Sequence, residues 1–247
     1  MRYAVISDLH SNLEALQAAV GDAREAGAEA FVCLGDVVGY GADPAALIAW
    51  VRRHCEVVIA GNHDWAAIGE TDTSYFNPAA AAAAAWTRAQ LAPDEAAYLA
   101  GLPVTARLGD AFLVHATPYQ PTAWHYILDL RSAAFNFSHF VEPLCFLGHS
   151  HVPGIFLFDE DRRRVRAEPG GVLELKPSAP PNRRAIVNVG SVGQPRDGDP
   201  AASYALYDTV EGRVELRRVA YDVAAAAEKI LAAGLPAFLA ERLAAGY

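Results

Sequence analysis

The sequence predicts an α/β fold in which two β-sheets pack against each other within a single domain, residues 1–247. Near the N-terminus, three strand-like runs alternate with two amphipathic helices, a pattern typical of parallel strands joined by crossover helices. From residue 153 onward, short strand-like runs follow one another directly, which indicates antiparallel pairing. The 247 residues, 53% of them hydrophobic, are enough to bury one large core.

The N-terminal elements follow from hydrophobic periodicity and from helix-start signals. The first helix is expected to be capped by Ser11, because Glu14 three residues later completes a capping box ahead of an apolar stripe. The second helix should begin at Pro44 and run to His54. The alternating strands are expected at RYAVIS (2–7), AFVCL (30–34) and VVIA (57–60).

The middle of the chain mixes helices with a hairpin. Residues 65–103 are expected to be helical, with helix starts at Pro78 and Pro93. Between residues 116 and 140, an aromatic-rich stretch precedes a short helix. The strands of this region are expected at VTARL and AFLVH, which form a hairpin around Gly109-Asp110, and at PLCFLG (143–148).

The last third of the chain is expected to be mainly antiparallel sheet followed by two helices. A proline-containing loop is expected at residues 178–184, and two alanine-rich helices at about 222–233 and 236–245. The strands are expected at GIFLFD, RVRAE, VLELK, AIVNVG, SYALYD and RVELRRV.

Five of the predicted strands end on side chains that can bind a metal, and three of these ends also carry a glycine beside the donor. Functional residues of such sheets gather at the carboxyl ends of strands, and glycine lets a backbone turn sharply close to a ligand. The sequence therefore predicts a metal site built from loops. Its donors are Asp8, His10, Asp36, Asn62, His115, His149 and His151.

The donor types narrow the choice of metal. Imidazole combined with carboxylate and amide oxygen, without thiolate, suits Mn, Fe, Ni or Zn. The set contains too much nitrogen for a calcium site. Seven donors are also too many for one ion, whereas two ions that share a bridging carboxylate would use them well.

The same residues form motifs that resemble a known superfamily. In order, DLH (8–10), GDVVG (35–39), GNHD (61–64), a lone strand-end His115 and GHSH (148–151) resemble the calcineurin-like metallophosphoesterases. The chain is similar in particular to the small bacterial and archaeal phosphodiesterases of the YfcE type, which carry an Asn-x-Gly-Ser element like NVGS at residues 188–191. The resemblance implies a four-layer α/β/β/α sandwich.

The resemblance also implies a dinuclear metal centre, with Mn favoured for activity. Asp36 would bridge the two ions, and a hydroxide between them would attack phosphorus. His63 would act as general acid toward the leaving oxygen, and Asp64 would orient the His63 ring. One metal would be held by Asp8, His10, Asp36 and His151, and the other by Asp36, Asn62, His115 and His149.

Each of three candidate substrate contacts has more than one interpretation. Arg196 could bind a phosphate bidentately, or it could stabilise a turn through a salt bridge with Asp197 or Asp199. Asn12 could contact a substrate phosphate or could serve the first helix. The aromatic stretch 124–126 could line the substrate mouth, pack in the core or contact a second subunit.

The expected activity is hydrolysis of a small phosphodiester or phosphomonoester. A dinucleoside polyphosphate is an alternative substrate. A non-catalytic binding scaffold on the same fold is an alternative of another class, but a scaffold would have no need to keep His63.

Composition restricts the partners. A net charge of −9 argues against binding of an extended nucleic acid, which normally requires a basic face. No apolar run reaches the roughly 18 residues of a membrane span. The N-terminus lacks the features of a secretion signal, and three cysteines in apolar surroundings fit a reducing cytoplasm. The alanine-rich helices leave a homo-oligomer open.

Overall fold

The N-terminal part of the chain alternates strands and helices, as predicted. In the computed structural model, which describes residues 1–168, 171–174 and 183–247, the first three strands pair in parallel. The second helix begins at Pro44 and ends at His54, as expected. These elements are β1 (Arg2–Ile6), α1 (Leu13–Glu25), β2 (Ala30–Cys33), α2 (Pro44–His54) and β3 (Cys55–Val58).

The start of α1 differs from the prediction. Ser11 has a left-handed backbone with φ of 52° and is not the capping residue. Instead Asn12, with an extended φ of −101°, accepts a hydrogen bond from the backbone N–H of Ala15 through its side chain. The predicted capping box of Ser11 with Glu14 is therefore wrong, and the cap lies one residue further along.

The middle of the chain agrees with the predicted order of elements. Proline occupies the first helical position of both α4 and α5, where its missing N–H costs no hydrogen bond. Two short 3₁₀ turns cover Thr73–Tyr75 and Pro121–Ala123. The elements are α3 (Asn62–Ile68), α4 (Pro78–Gln90), α5 (Pro93–Ala100), β4 (Thr105–Leu108), β5 (Ala111–Val114), α6 (Leu130–Asn136) and β6 (Leu144–Leu147).

The last third of the chain contains the expected strands and helices. The predicted loop at residues 178–184 lies outside the described residues as far as residue 182, as do residues 175–176 of the predicted VLELK strand. The last two residues of that predicted loop, Arg183 and Arg184, belong instead to a strand, because they pair with Asp159 and Phe158. The elements are β7 (Gly154–Asp159), β8 (Arg164–Glu168), β9 (Val172–Glu174), β10 (Arg183–Asn188), β11 (Ala202–Asp208), β12 (Arg213–Val219), α7 (Val223–Ala232) and α8 (Ala237–Ala245).

Within the described ranges the strands form two six-stranded mixed sheets. The first has the order β3-β2-β1-β11-β12-β9, and the second has the order β4-β5-β6-β10-β7-β8. One pairing differs from the expected antiparallel pattern, because β10 runs parallel to β6 while it pairs antiparallel to β7. The pairing of β1 with β11 brings the N-terminal strand and a strand from the last third of the chain together in one sheet.

The core confirms the predicted layers. Val5 and Val32 of the first sheet and Leu113 and Phe146 of the second belong to one buried cluster between the sheets. Side chains of α1 and α2 pack on the outer face of the first sheet, and Ala133 of α6 packs with strands of the second. Helices therefore flank two packed sheets.

Helix length bears on membrane insertion. The longest described helices, α1 and α4, have 13 residues each, whereas a membrane span needs about 20. No helix in the described part of the chain is long and apolar enough to cross a membrane.

Candidate metal centre

The loops after five strands bring the predicted metal ligands together. The strands β3, β2 and β1 lie side by side in the first sheet, and β5 and β6 lie side by side in the second. Their carboxyl ends meet where the two sheets face each other, so donors from both sheets approach within a few ångströms. All seven predicted ligands are buried: Asp8, His10, Asp36, Asn62, His115, His149 and His151.

A first cluster contains Asp8, His10 and His151. One possible ligand atom from each residue lies within 4.8 Å of the others. His151 Nε2 is 3.2 Å from Asp8 Oδ1 and 3.1 Å from His10 Nε2. His10 Nε2 is 3.8 Å from Asp8 Oδ1. Three donors therefore face one small space.

A second cluster contains Asp36, His115 and His149, again with ligand atoms within 4.8 Å of one another. His115 Nε2 is 3.3 Å from Asp36 Oδ2. The same Oδ2 atom is 3.7 Å from His10 Nε2 of the first cluster. Asp36 is thus close to both clusters, as a bridging ligand must be. Asp8 Oδ1 also approaches the second cluster, 3.9 Å from His115 Nε2.

Backbone carbonyls fix the orientation of the histidine rings. Nδ1 of His10 is 3.1 Å from Val38 O, Nδ1 of His115 is 2.9 Å from Leu34 O, and Nδ1 of His151 is 2.5 Å from Gln194 O. A carbonyl oxygen only accepts, so we infer that Nδ1 carries the proton and that the Nε2 lone pair is free for a metal.

His149 uses the opposite arrangement. Its Nε2 lies 2.9 Å from the carbonyl oxygen of Trp124, which assigns the proton to Nε2 and leaves Nδ1 free as the ligand atom. Its backbone N–H donates to Asp8 Oδ2 at 3.0 Å. The loop that carries His149 is therefore tied both to the first cluster and to the segment before α6.

Several buried polar atoms of the site lack hydrogen-bond partners among the described residues. They include Asp8 Oδ1, Asn62 Oδ1 and His115 Nε2. An unsatisfied buried polar group costs about 1–3 kcal/mol, and more if it is charged. Cations would satisfy all three atoms, because each is an oxygen or imidazole nitrogen with a lone pair to offer. The residues present therefore fit a site for divalent metals.

The backbone of the site is strained. Five of the predicted ligands have a left-handed backbone, with φ between 48° and 65°. Such conformations are uncommon for residues other than glycine, and they persist where the surrounding structure enforces them, often at functional sites. Gly35 allows two of the loops to meet, because a Cβ there would lie 2.5 Å from the backbone nitrogen of Gly61. The five residues are Asp8, His10, Asp36, His149 and His151.

The charges of the site compensate one another. Burial would raise the pKa of Asp8, but the neighbouring His151 and His115 outweigh it and hold the pKa well below its usual value. Burial would lower the pKa of His115, yet Asp36 and Asp8 raise it to about 9. His115 would thus carry a proton between two carboxylates. A bound cation would take the place of that proton.

His63 lies beside the clusters and is held mainly by packing. Its backbone N–H donates to Asp36 Oδ1 at 2.8 Å. Its ring centroid lies 4.4 Å from that of Tyr40, 5.0 Å from that of Phe76 and 5.0 Å from that of His10. Burial, with a contribution from nearby Arg196, lowers the pKa of His63 to about 4. The ring is therefore neutral at pH 7 when no phosphate is bound.

Asp64 does not orient the His63 ring as the sequence led us to expect. Its Oδ2 accepts the backbone N–H of Gly61 at 3.0 Å, and its Oδ1 accepts that of Val38 at 3.2 Å. Burial and the charge of Asp36 raise the pKa of Asp64 to about 7. Asp64 therefore joins the start of α3 to the loop after β2, because its carboxylate is taken by backbone amides.

Arg196 points toward the site. One terminal nitrogen, Nη2, donates to Tyr40 Oη at 3.3 Å and to Gln194 Oε1 at 3.0 Å, and the guanidinium lies over the Tyr40 ring. Its buried Nε has no hydrogen-bond partner among the described residues. The alternative salt bridge with Asp197 is not formed, since Asp197 pairs with Arg218.

Asn12 is occupied by structural hydrogen bonds. Besides capping α1, its Nδ2 donates to Gly193 O at 2.8 Å and to Tyr221 Oη at 3.3 Å. The side chain is buried. Both ends of the amide are therefore in use, which favours the structural alternative over a contact with substrate phosphate.

Two features of the site were not predicted. Tyr40 contacts His10, His63 and Arg196 and has a left-handed φ of 58°. Its only signal in the sequence is its place between two glycines after the second strand. The second feature is that the NVGS element supports the loops of the site. Asn188 Nδ2 donates to Gly148 O and Ser191 Oγ donates to Asp8 O, each at 2.8 Å.

A sequence profile of the calcineurin-like phosphoesterase superfamily domain matches residues 1–212. The chain belongs to this superfamily. The resemblance inferred from the motifs is therefore confirmed, and membership supports hydrolysis of phosphoester bonds. The helices α7 and α8 lie beyond the matched residues.

Two relatives match along nearly their whole length. The crystal structure of a metallophosphoesterase from Sphaerobacter thermophilus is 42% identical, with a TM-score of 0.86 over 100% of this chain and 99% of that one. The uncharacterised protein MJ0912 of Methanocaldococcus jannaschii is 37% identical over 98% of this chain and 97% of its own. Protein PH1004 of Pyrococcus horikoshii, 20% identical with a TM-score of 0.75 over 100% and 98% of the chains, shares the fold.

Proposed function

We propose that this calcineurin-like protein is a dinuclear metal-dependent phosphoesterase that hydrolyses a small phosphodiester or phosphomonoester. The observation that carries the proposal is the pair of buried three-residue clusters, because Asp36 of the second cluster also approaches His10 of the first. A single-metal site would not need two sets of oriented histidines, and a structural site would not need polar atoms left without partners.

The residues divide between two divalent ions. Asp8, His10 and His151 would hold one ion, and His115, His149 and Asn62 would hold the other, with Asp36 shared by both. Manganese is the favoured metal, and iron, nickel and zinc suit the same donors. Two ions held there would polarise phosphoryl oxygens and lower the pKa of water.

The chain's own side chains would bind and protonate the substrate. Arg196 could hold a phosphate oxygen through its other terminal nitrogen, Nη1, because Nη2 is tied to Tyr40 and Gln194 and Nε is buried. His63 lies where it could protonate the leaving oxygen. A bound phosphate anion would favour the protonated form of His63, since a nearby negative charge raises the pKa of a histidine.

The alternatives have less support. A scaffold would need neither the aromatic packing around His63 nor the free nitrogens of Arg196. A dinucleoside polyphosphate remains an alternative substrate, and nothing in the two metal clusters themselves distinguishes it from a simpler ester. We also propose that extended nucleic acids are not partners, because the net charge is −9.

Metal analysis combined with hydrolysis tests the proposal. The protein is loaded with Mn²⁺, dialysed and analysed for metal, and then assayed with bis-p-nitrophenyl phosphate and p-nitrophenyl phosphate. We expect close to two metal ions per chain and turnover of at least one ester. Asp36→Asn should lose metal and activity together, whereas the matched substitution Asp110→Asn in an exposed hairpin turn should retain both. Full activity of metal-free protein would contradict the proposal.

A further inference from the structure

The segment between β5 and α6 places two aromatic side chains against the second cluster. The ring of Tyr126 stacks on the imidazole of His149, with centroids 4.1 Å apart and 17° between the planes. The indole of Trp124 lies 5.9 Å from the ring of His115, and its carbonyl oxygen orients His149. The segment therefore covers both histidines of this cluster.

Tyr126 is exposed although the residue beneath it is buried. Its exposed fraction is 49%, whereas His149 is 5% exposed. Because one face of the ring covers His149, any part of the ring that meets solvent lies on the opposite face or the edges. Trp124 is half-buried and meets Trp65 edge to face at 5.2 Å. A partly exposed tyrosine thus lies beside the metal clusters.

The groups proposed to act on phosphate contact the first cluster. The ring of His63 is next to that of His10 in the first cluster. The backbone N–H of Arg196 donates to His151 O at 3.2 Å, which places this arginine by the first cluster as well. The two ester groups of a bound phosphodiester would therefore meet different surroundings, a proton donor on one side and aromatic rings on the other.

From this asymmetry we infer that Tyr126, with Trp124 beside it, binds a planar ring of the ester group that stays on the phosphate, and that this ring is a nucleobase. The inference rests on the proposed function and specifies its substrate class as a nucleotide ester. Aromatic side chains stack on the face of any base, and an exposed tyrosine next to a phosphate site is suited to a group that is both planar and polar at its edges. An aliphatic ester group offers no such face.

A pair of substrates with the same leaving group tests this contact together with the Tyr126 variants below. Thymidine 5′-p-nitrophenyl phosphate and methyl p-nitrophenyl phosphate both release p-nitrophenolate and carry the same charge, but the first carries a deoxyribose and a base where the second carries a methyl group. For the Mn²⁺-loaded protein we expect kcat/KM to be about tenfold or more higher for the thymidine ester, within the range that stacking of one base contributes. The advantage should appear mainly in KM.

Variants of Tyr126 then separate stacking from packing. Tyr126→Leu keeps an apolar cover on His149 but removes the flat ring, so the ratio of the two kcat/KM values should fall by about tenfold. Tyr126→Phe should keep the ratio. Phe135→Ala is a matched control, because Phe135 is 52% exposed on α6 and packs with Tyr119 and His139 rather than with the metal clusters.

The outcomes distinguish this inference from the proposed function. Turnover of both esters with a ratio near one, or a ratio unchanged by Tyr126→Leu, would overturn the stacking contact and leave the phosphoesterase intact. An equal loss for both esters in Tyr126→Leu would assign Tyr126 to the packing of His149 and would likewise overturn it. Failure of the metal-loaded protein to hydrolyse either ester would overturn the proposed function and the inference together.

Discussion

Gly39 offers a sharp test of how His63 is held. A Cβ at this position would lie 2.8 Å from His63 Nδ1 and 3.2 Å from its Cβ and Cγ. These are the three nearest atoms, and ordinary contacts of a Cβ begin near 3.4 Å, so Gly39→Ala should displace the ring by about 0.6 Å. The backbone there has φ of 96°, so alanine is also strained.

The expected effect falls on turnover rather than on metal binding. A displacement of about 1 Å in a reacting group can cost about 100-fold in rate, so we expect kcat of Gly39→Ala to fall roughly ten- to hundredfold. The metal content should stay at the wild-type level, because the new methyl group meets the His63 imidazole before any metal ligand.

The assay is the kcat for bis-p-nitrophenyl phosphate, measured with the metal content of the same sample. Gly234→Ala is the matched control, because Gly234 also has a left-handed φ, 72°, but a Cβ there would meet nothing within 4 Å. Both variants should lose about 1 kcal/mol or somewhat more of the free energy of unfolding through backbone strain, and only Gly39→Ala should lose turnover. A folded, metal-loaded Gly39→Ala protein with wild-type kcat would refute the packing argument.

Three further predictions follow from named contacts. His63→Ala should keep both metals and lose about 10²–10⁴-fold in kcat for bis-p-nitrophenyl phosphate; wild-type turnover would remove His63 from the mechanism. Asn12→Ala should lower the free energy of unfolding in urea by about 1–2 kcal/mol, because the cap of α1 is lost; an unchanged midpoint would contradict the structural role. Hydrogen bonds from Arg217 and Tyr204 lower the pKa of Asp22. The Asp22 carboxylate therefore stabilises the fold above the pKa of an unfolded aspartate, about 4, and this stabilisation is lost as pH falls. The stability difference between wild type and Asp22→Asn should therefore shrink below about pH 4 in urea titrations, and a difference that grows toward acid would refute the assignment.

The metal ligands could be predicted from sequence because their signal is local. A buried strand that ends on Asp8, or on Asp36 with Gly35 beside it, is visible without knowledge of the fold. Parallel strands place their carboxyl ends on one edge of a sheet, so the convergence of these loops also followed. The order of donors along the chain then carried the resemblance to the superfamily.

The surroundings of His63 could not be predicted in the same way. Asp64 is its neighbour in sequence, but consecutive residues of a helix point about 100° apart, so Asp64 turns toward the amides of Gly61 and Val38. The residues that do contact the ring, Tyr40 and Phe76, come from separate segments. Their approach depends on tertiary packing, which no local pattern reports.

The pairing partners of the strands could not be predicted from the sequence either. The apolar run of β10 is compatible with either direction of pairing, and only the assembled sheet shows that it lies parallel to β6 and antiparallel to β7. The cap of α1 was misassigned for a related reason. Ser11 and Asn12 are both favourable caps, and the choice was decided by the left-handed turn that carries His10 and Ser11 away from the helix.

The dinuclear centre is tested most directly by anomalous scattering from crystals of the Mn²⁺-loaded protein. We expect two anomalous peaks about 3.5–4 Å apart, the spacing of two-metal sites. One should lie among Asp8, His10 and His151, and the other among His115, His149 and Asn62, with Asp36 between them. A single peak, or two peaks away from these residues, would contradict the account.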